Sequence, residues 1–127
     1  MLDGLLIRAP WIDKILDGSK TWEIRGSHTY KEGRIALIES GTGTVVGVAE
    51  LSGVVGPLSL KDLSENWRKA GFEKGERLYR LPYKETFAWV MQNSKRLRQP
   101  VPYDHPSGAV IWVRLKPSVE HAVLRQI

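Results

Sequence analysis

The sequence predicts an α+β fold, a small mixed β-barrel of about six strands with two main helices. Several short segments alternate apolar with polar residues, as half-buried strands do, and two others repeat apolar residues at helical spacing. The turn Gly41-Thr42-Gly43 joins two strand-like runs into an antiparallel hairpin. A chain of 127 residues can bury about two-thirds of its unfolded surface around one core. We therefore expect a single domain over residues 1–127, with its core at about 5–115 and a C-terminal tail at 116–127.

A short apolar strand, Leu5-Leu6-Ile7, leads into the first predicted helix, over residues 10–17. Pro10 has the φ angle of a first helical turn, and Gly18 stands where a helix commonly ends in a left-handed residue. The apolar positions of this segment recur three and four residues apart and form one helical face: Trp11, Ile12, Ile15 and Leu16.

Beyond this helix the pattern changes to the two-residue period of a strand. Trp22 and Ile24 are expected to point into the barrel core. Glu23 and Arg25 then share the opposite face, with Lys20 on the turn before them. Three charged groups that converge beside a helix C-terminus indicate a site. The alternative is a surface Glu–Arg pair on a solvated strand, worth under about 1 kcal/mol.

Four further strands and a second helix follow. The helix begins at Ser59, whose spacing to Asp62 matches a capping box, and stops at Gly71. Between residues 72 and 82 the periodicity is lost, which predicts a mobile basic loop. Residues 100–108 contain three prolines and are predicted to lie outside regular structure. The remaining strands are predicted over residues 34–39, 44–51, 85–92 and 109–115, and a short helix over 119–125.

A signature of the form G-x-K-x-x-E-x-R spans the end of the first helix and the strand after it, and its fixed positions are Gly18, Lys20, Glu23 and Arg25. The element Arg8-x-Pro10-Trp11 precedes it. In these motifs the chain resembles the ASCH domain (activating signal cointegrator homology), a PUA-like β-barrel family associated with RNA. The resemblance extends over about residues 5–115 and implies the same kind of barrel as the strand and helix pattern.

Composition excludes several classes of protein and site. The chain has no cysteine, which rules out disulfides, thiolate nucleophiles and cysteine-ligated metals. No apolar run approaches the roughly 20 residues that span a bilayer, and the N-terminus has no secretory signal pattern. We therefore expect a cytoplasmic protein without membrane contact. His28, His105 and His121 lack partners at metal-binding spacing, so no metal and no cofactor are expected.

Positive charge is concentrated in the second half of the chain. The formal net charge is +5: residues 1–60 carry 6 Lys/Arg and 7 Asp/Glu, whereas residues 61–127 carry 13 and 7. An excess of this kind is typical of a protein with a polyanionic partner. We therefore expect a basic surface that holds an RNA backbone, formed by Arg77, Arg80, Lys84, Arg96 and Arg98.

The resemblance implies that RNA or a nucleoside-like ligand binds in a pocket beside the barrel, with its base unstacked. Lys20 and Arg25 would donate to a phosphate or a base carbonyl. Glu23 would accept from an exocyclic amine or hold Arg25 in place. Trp11 either packs in the core or forms a pocket wall that stacks on a base. The expected ligand-binding residues are Arg8, Trp11, Lys20, Glu23, Arg25, Tyr103, His105 and Ser107.

The proline-rich loop Pro102–Gly108 is predicted to form the second wall of the pocket. Tyr103, His105 and Ser107 all offer hydrogen bonds on a chain that proline makes rigid. The alternative is a rigid surface loop whose prolines only limit the entropy of the unfolded state.

A hydrolase is the alternative function. Some small bacterial ASCH proteins are amidohydrolases that remove an acyl group from acetylated cytidine with a Lys, a Thr nucleophile and a Glu. Ribonuclease activity is also associated with the family. Lys20 matches the lysine, but Glu23 stands at the position of the threonine, and no Glu in the second helix clearly matches the third member. A catalytic site here would use Lys20 to support transition-state charge, with Glu23 or His105 as general base.

Overall fold

The computed structural model describes residues 1–76 and 78–127, and within them six strands form one sheet. The sheet curls into a half-barrel with helices packed on it, which confirms the predicted mixed α+β architecture. In chain order the elements are β1 (Asp3–Ile7), α1 (Trp11–Leu16), β2 (Trp22–Arg25), β3 (Gly33–Glu39), β4 (Thr44–Val55), α2 (Leu60–Glu65), α3 (Trp67–Ala70), β5 (Phe87–Pro102), β6 (Trp112–Arg114) and α4 (Pro117–Leu124).

The strands are hydrogen-bonded in the order β2-β5-β4-β3-β1-β6. β1 and β3 are parallel, and the other pairings are antiparallel. Register shifts along the pairing of β4 with β5 bend these two long strands. The curl brings the edge strand β2 close to β1, although the two are not paired in the sheet: the Arg25 side chain reaches the carbonyl oxygen of Leu6. We call the gap between β1 and β2 the seam.

Three clusters of apolar side chains form the core. One lies between the sheet and α1 and includes Ile12, Ile15 and Trp89. A second lies under α4, around Val123. The third lies under α2 and α3 and consists of Trp22, Leu58, Leu63, Ala70 and Ala88.

β2 is covered on both faces, which corrects one prediction. Trp22 is only 7% exposed and packs in the cluster under α2 and α3, not in the cluster under α1. Glu23 pairs directly opposite Trp89, a member of the α1 cluster, so Glu23 and Arg25 face that cluster. The alternation along β2 is as predicted, but its charged face points toward the largest core cluster. Trp22 can point the other way because α2 and α3 supply a separate apolar cover.

The described residues form four helices, whereas two main helices and a short helix in the tail are predicted. The second predicted helix begins with the expected capping box, in which Ser59 and Asp62 exchange hydrogen bonds. It divides at Asn66, where the backbone leaves the helical region (φ −108°, ψ 29°) and the side chain donates to the Asp62 carbonyl. In the tail, α4 starts earlier than predicted because Pro117 occupies its first turn. No helix within residues 1–76 and 78–127 has the length and apolar character that crossing a membrane requires.

β5 continues through Pro100 and Pro102, so the prediction of irregular structure is wrong for residues 100–102. β2 pairs with β5 only as far as Val90, and beyond that point β5 is paired with β4 alone. Proline is tolerated in such a strand because its missing N–H can face the unpaired edge. β6, at Trp112–Arg114, is shorter than the predicted strand over 109–115.

Candidate functional site

A cavity of about 460 Å³ opens along the seam, and we call it the seam pocket. Segments far apart in the sequence build it: β1 and the start of α1, the turn into β2, β2 itself, and the chain after α3. The side chains that line it are Leu6, Arg8, Trp11, Lys20, Glu23, Ile24, Arg25, Ser40, Phe72, Pro82, Tyr83 and Val110.

Lys20 is buried at this pocket, with only 2% of its surface exposed. Its ammonium group donates to the carbonyl oxygens of Trp22, at 2.5 Å, and Ala70, at 2.6 Å. The same nitrogen lies 5.0 Å from the centroid of the Trp11 ring. Gly71 leaves room for the lysine stem, since a Cβ at this position would lie 2.9 Å from Lys20 Cδ. The end of α3 therefore determines where the lysine of the signature points.

Burial lowers the pKa of Lys20 from 10.5 to about 8. The loss of hydration is the main cause, and the nearby cations Lys14 and Arg25 lower the pKa further. The carboxylate of Glu23 acts in the opposite direction and favours the charged ammonium. Near pH 8 the protein therefore holds comparable amounts of the charged and the neutral amine.

Glu23 is 6% exposed and lies between the two cations of the signature. Its Oε2 accepts from Arg25 Nε at 3.0 Å and contacts Nη2 at 2.8 Å. Its Oε1 lies 3.8 Å from Lys20 Nζ, beyond hydrogen-bond distance. No enclosed side-chain polar atom of the described residues lacks a partner, so Oε1 is open to the pocket. The carboxylate thus presents one oxygen to the pocket.

Arg25 bridges the seam. Its Nη2 donates to the Leu6 carbonyl oxygen at 2.7 Å, while the guanidinium also binds Glu23 and lies 5.5 Å from the Trp89 ring centroid. These contacts connect β2 to β1 where no backbone ladder joins them. The arginine of the signature therefore connects β2 to β1 across the seam as well as lining the pocket.

Aromatic rings form the walls of the pocket. Trp11 is half-buried and packs edge-on against Phe72, with ring centroids 6.0 Å apart. Tyr83 lies directly against Gly26, where an added Cβ would be 2.8 Å from the tyrosine ring. Trp11 and Tyr83 thus offer flat apolar surface on different segments of the lining.

Comparison with known proteins assigns the chain to a family. The model of the ASCH domain matches residues 5–101, which include the whole signature. The chain belongs to the ASCH domain family. The crystal structure of ASCH from Zymomonas mobilis has a TM-score of 0.71 at 16% identity, over 97% of this chain and 93% of that one.

Crystal structures of two single-substitution mutants of the Zymomonas mobilis ASCH protein are also similar to this ASCH domain. One has a TM-score of 0.69 at 18% identity, and the other 0.67 at 16%. Both comparisons cover 97% of this chain. They cover 94% of the first mutant chain and 96% of the second. At these identities the likeness shows a shared fold. No curated protein matches the sequence significantly.

The ASCH signature and the element before it converge in space. The structure brings five of the eight predicted ligand-binding residues into the lining of the seam pocket: Arg8, Trp11, Lys20, Glu23 and Arg25. A solvated Glu–Arg pair, the alternative for this region, does not fit the burial of Glu23. The role of these residues in ligand binding stays a prediction.

The structure does not bring Tyr103, His105 and Ser107 into the seam pocket. The Tyr103 hydroxyl is 2.8 Å from His105 Nδ1, and His105 Nε2 is 2.9 Å from the Ala109 carbonyl oxygen. His105 Nε2 donates to that carbonyl, because a carbonyl oxygen can only accept. These bonds hold the loop together, and Val110 just after it reaches the pocket instead.

The other wall comes from residues that the sequence did not indicate as site residues. Phe72, Pro82 and Tyr83 belong to the segment after α3, for which the lost periodicity predicted only a loop. A clustering of aromatic residues and proline between two elements was the available signal. Ser40 and Val110 carry no motif and enter the pocket through the tertiary fold alone.

The predicted backbone-binding residues Arg80, Lys84, Arg96 and Arg98 are exposed and lie outside the pocket lining. Arg96 is paired with Asp13 on α1 at 3.0 Å. Arg77 lies outside the described residues. Within residues 1–76 and 78–127, no three His, Asp or Glu side chains are grouped as a metal site requires.

A second cavity of about 380 Å³ also borders the signature turn. It is lined by Asp17, Gly18 and Thr21 on the turn and by residues 91–94 of β5, and Lys20 borders it as well. Thr21, the threonine nearest to the signature lysine, therefore belongs to this cavity and not to the seam pocket.

Proposed function

We propose that this ASCH domain binds RNA or a nucleoside-like ligand and holds one unstacked base in the seam pocket. The observation that carries the proposal is the buried Lys20–Glu23 pair. Lys20 uses two ammonium hydrogens on carbonyl oxygens, and Glu23 uses Oε2 on Arg25. One N–H of Lys20 and the Oε1 of Glu23 are left without a protein hydrogen bond among the described residues.

These two unused positions define what the ligand must offer. Groups inside proteins are almost always hydrogen-bonded, so a donor and an acceptor left together at a pocket favour a complementary ligand. The ligand has to present an acceptor to Lys20 and a donor to Glu23 on atoms that lie close together. The edge of a nucleobase carries both kinds of atom side by side.

The walls and the outer surface support the same proposal. Single-stranded RNA is commonly recognised by stacking an unpaired base on an aromatic ring, and Trp11 and Tyr83 supply such rings. The exposed side chains of Arg80, Lys84 and Arg98 offer positive charge outside the pocket for an RNA backbone.

The test is a panel of ribonucleosides, modified nucleosides and short single-stranded RNAs, measured by calorimetry and followed by product analysis. We expect at least one member of the panel to bind to the wild-type protein. Phe72→Ala removes the aromatic contact of Trp11 and should weaken that binding. Tyr30→Ala is the matched control, because Tyr30 is also aromatic but is 92% exposed and does not line the pocket. If no nucleoside and no RNA binds to the wild type, the proposal is wrong.

A hydrolase is the second candidate, and the lowered pKa of Lys20 favours it. An amine with a pKa of about 8 is partly neutral near physiological pH and can take a proton from an attacking group. Glu23 Oε1 lies beside it, whereas Thr21 borders the other cavity. An amidohydrolase of this chain would therefore need a nucleophile other than Thr21, such as water.

Product analysis of the same panel separates the two candidates. A hydrolase converts acylated nucleosides or RNA with a rate that rises with pH through about 8, as Lys20 loses its proton. Lys20→Met should abolish that turnover, and Lys61→Met, on an exposed lysine of α2, should leave it unchanged. Binding without any product over the panel supports the binding module.

A further inference from the structure

We propose that the ligand of the seam pocket carries a phosphate group and that Arg8 binds it. This inference rests on the proposed function, because it concerns the same pocket. The charge of the lining is the first observation. Arg8, Lys20 and Arg25 face a single carboxylate, that of Glu23, so the lining carries two positive charges more than it has negative ones. Such an excess in a cleft favours an anionic ligand.

The three cations differ in how far the protein already uses them. Arg25 is hydrogen-bonded to Glu23 and to the Leu6 carbonyl, and Lys20 is hydrogen-bonded to two carbonyls. The guanidinium of Arg8 makes no hydrogen bond and no ion pair with any described residue. Its backbone carbonyl accepts from Ile12 N–H, which fixes the main chain at this position. Arg8 therefore has a fixed main chain and a side chain that no described residue uses.

The exposure of Arg8 and the burial of the Lys20–Glu23 pair on one lining fit a nucleotide. Arg8 is exposed, whereas Lys20 and Glu23 are buried. A base bound to the buried pair would direct its sugar and phosphate outward, toward the exposed arginine. The planar guanidinium can bind two phosphate oxygens at once. Pro82 and Val110, also on the lining, are apolar and offer no competing charge.

The phosphate has two possible sources, a terminal monoester or an internal diester of RNA. The experiment compares three sets of probes by calorimetry: the four ribonucleosides, their 5′-monophosphates, and the four homodinucleotides, each with one internal phosphate. Each set is titrated into wild type, Arg8→Ala, Arg8→Lys and Arg34→Ala. Arg34 is an exposed arginine on β3 that does not line the pocket, and it serves as the control. Circular dichroism shows whether each variant is folded.

We expect phosphorylated probes to bind to the wild type about tenfold or more tightly than nucleosides, the usual effect of a charge-assisted hydrogen bond. Arg8→Ala should remove this preference and leave nucleoside binding within about twofold. Arg8→Lys should keep part of the preference, because it retains the charge but loses the planar fork. Arg34→Ala should match the wild type. Tighter binding of the monophosphates assigns a terminal phosphate, and tighter binding of the dinucleotides assigns an internal one.

Three results would overturn the inference. If the wild type binds nucleosides as tightly as phosphorylated probes, the phosphate contact does not exist, and the proposed function still stands. If Arg8→Ala weakens nucleosides and phosphorylated probes by the same factor, Arg8 supports the pocket and does not bind phosphate. If none of the probes binds to the wild type, the proposed function fails together with this inference.

Discussion

Lys20 shows how a residue in a short signature obtains its properties from distant parts of the chain. Its position after Gly18 is visible in the sequence, and the turn there was predictable from the end of the apolar helical face. Its burial was not predictable, because it depends on residues about fifty positions away. The Ala70 carbonyl oxygen accepts from the ammonium group, and Gly71 leaves room for the lysine stem. The lowered pKa follows from that burial.

The pH dependence of stability tests the burial of Lys20. In the unfolded chain Lys20 keeps a pKa of 10.5, and in the folded protein burial lowers this pKa to about 8. Between these values the unfolded state binds more protons, so the wild type gains stability as the pH rises from about 8 to about 10.5. Lys20→Met lacks this titration. We expect the wild type to gain on the order of 2–3 kcal/mol in its free energy of unfolding relative to Lys20→Met across the window.

Urea denaturation of both proteins at a series of pH values checks this prediction. Tyrosines and the other lysines titrate in both proteins, so their contributions cancel in the difference between the two free energies of unfolding. A difference that does not change between about pH 7 and 10 would contradict a buried ammonium.

At the scale of elements, β2 is connected to the sheet in two different ways. One edge has the usual antiparallel ladder with β5. On the other side no ladder joins β2 to β1, and the Arg25 side chain donates to the Leu6 carbonyl oxygen of β1. The signature therefore contains a structural contact in addition to charges that could bind a ligand. The arginine side chain makes this contact because it is long enough to span the gap between the two strands.

Removing this contact should weaken the fold. Arg25→Ala leaves Glu23 Oε2 without its arginine partner and the Leu6 carbonyl without a donor. We expect the free energy of unfolding to fall by about 3 kcal/mol, the cost of breaking a largely buried ion pair. Arg34→Ala, on an exposed arginine of β3, should change it by less than about 0.5 kcal/mol. Equal urea midpoints for Arg25→Ala and the wild type would show that the seam closes without this arginine.

For the whole molecule, local patterns predicted the elements and missed the parts that depend on tertiary pairing. The helix from Pro10, the capping box at Ser59 and most strands follow from periodicity and caps. The extension of β5 through Pro102 depends on an unpaired edge, which only the sheet order reveals. The pocket was only partly predictable for the same reason, its dependence on tertiary structure. The signature residues of its lining are close together in sequence, whereas Phe72, Pro82 and Tyr83 reach them only in the folded chain.

The predicted basic surface gives a test at the scale of the molecule. Replacing Arg80, Lys84 and Arg98 together by Ala should weaken binding of single-stranded RNA about equally for all sequences. The dependence of log Kd on log salt should flatten by about 0.7 for each phosphate contact that is lost. Titrations over a range of KCl concentrations measure this slope. An unchanged slope would exclude these residues from the RNA interface.

The central claim is that the Lys20–Glu23 pair binds the ligand in the seam pocket. The most direct measurement is calorimetric titration of the tightest-binding nucleoside or RNA of the panel into Lys20→Met, Glu23→Gln and the control Lys61→Met, each verified as folded. We predict that the two pocket variants lose binding by at least about a hundredfold, as expected for buried hydrogen bonds to charged groups, and that Lys61→Met binds as the wild type does. Wild-type affinity in folded Lys20→Met and Glu23→Gln would contradict the claim.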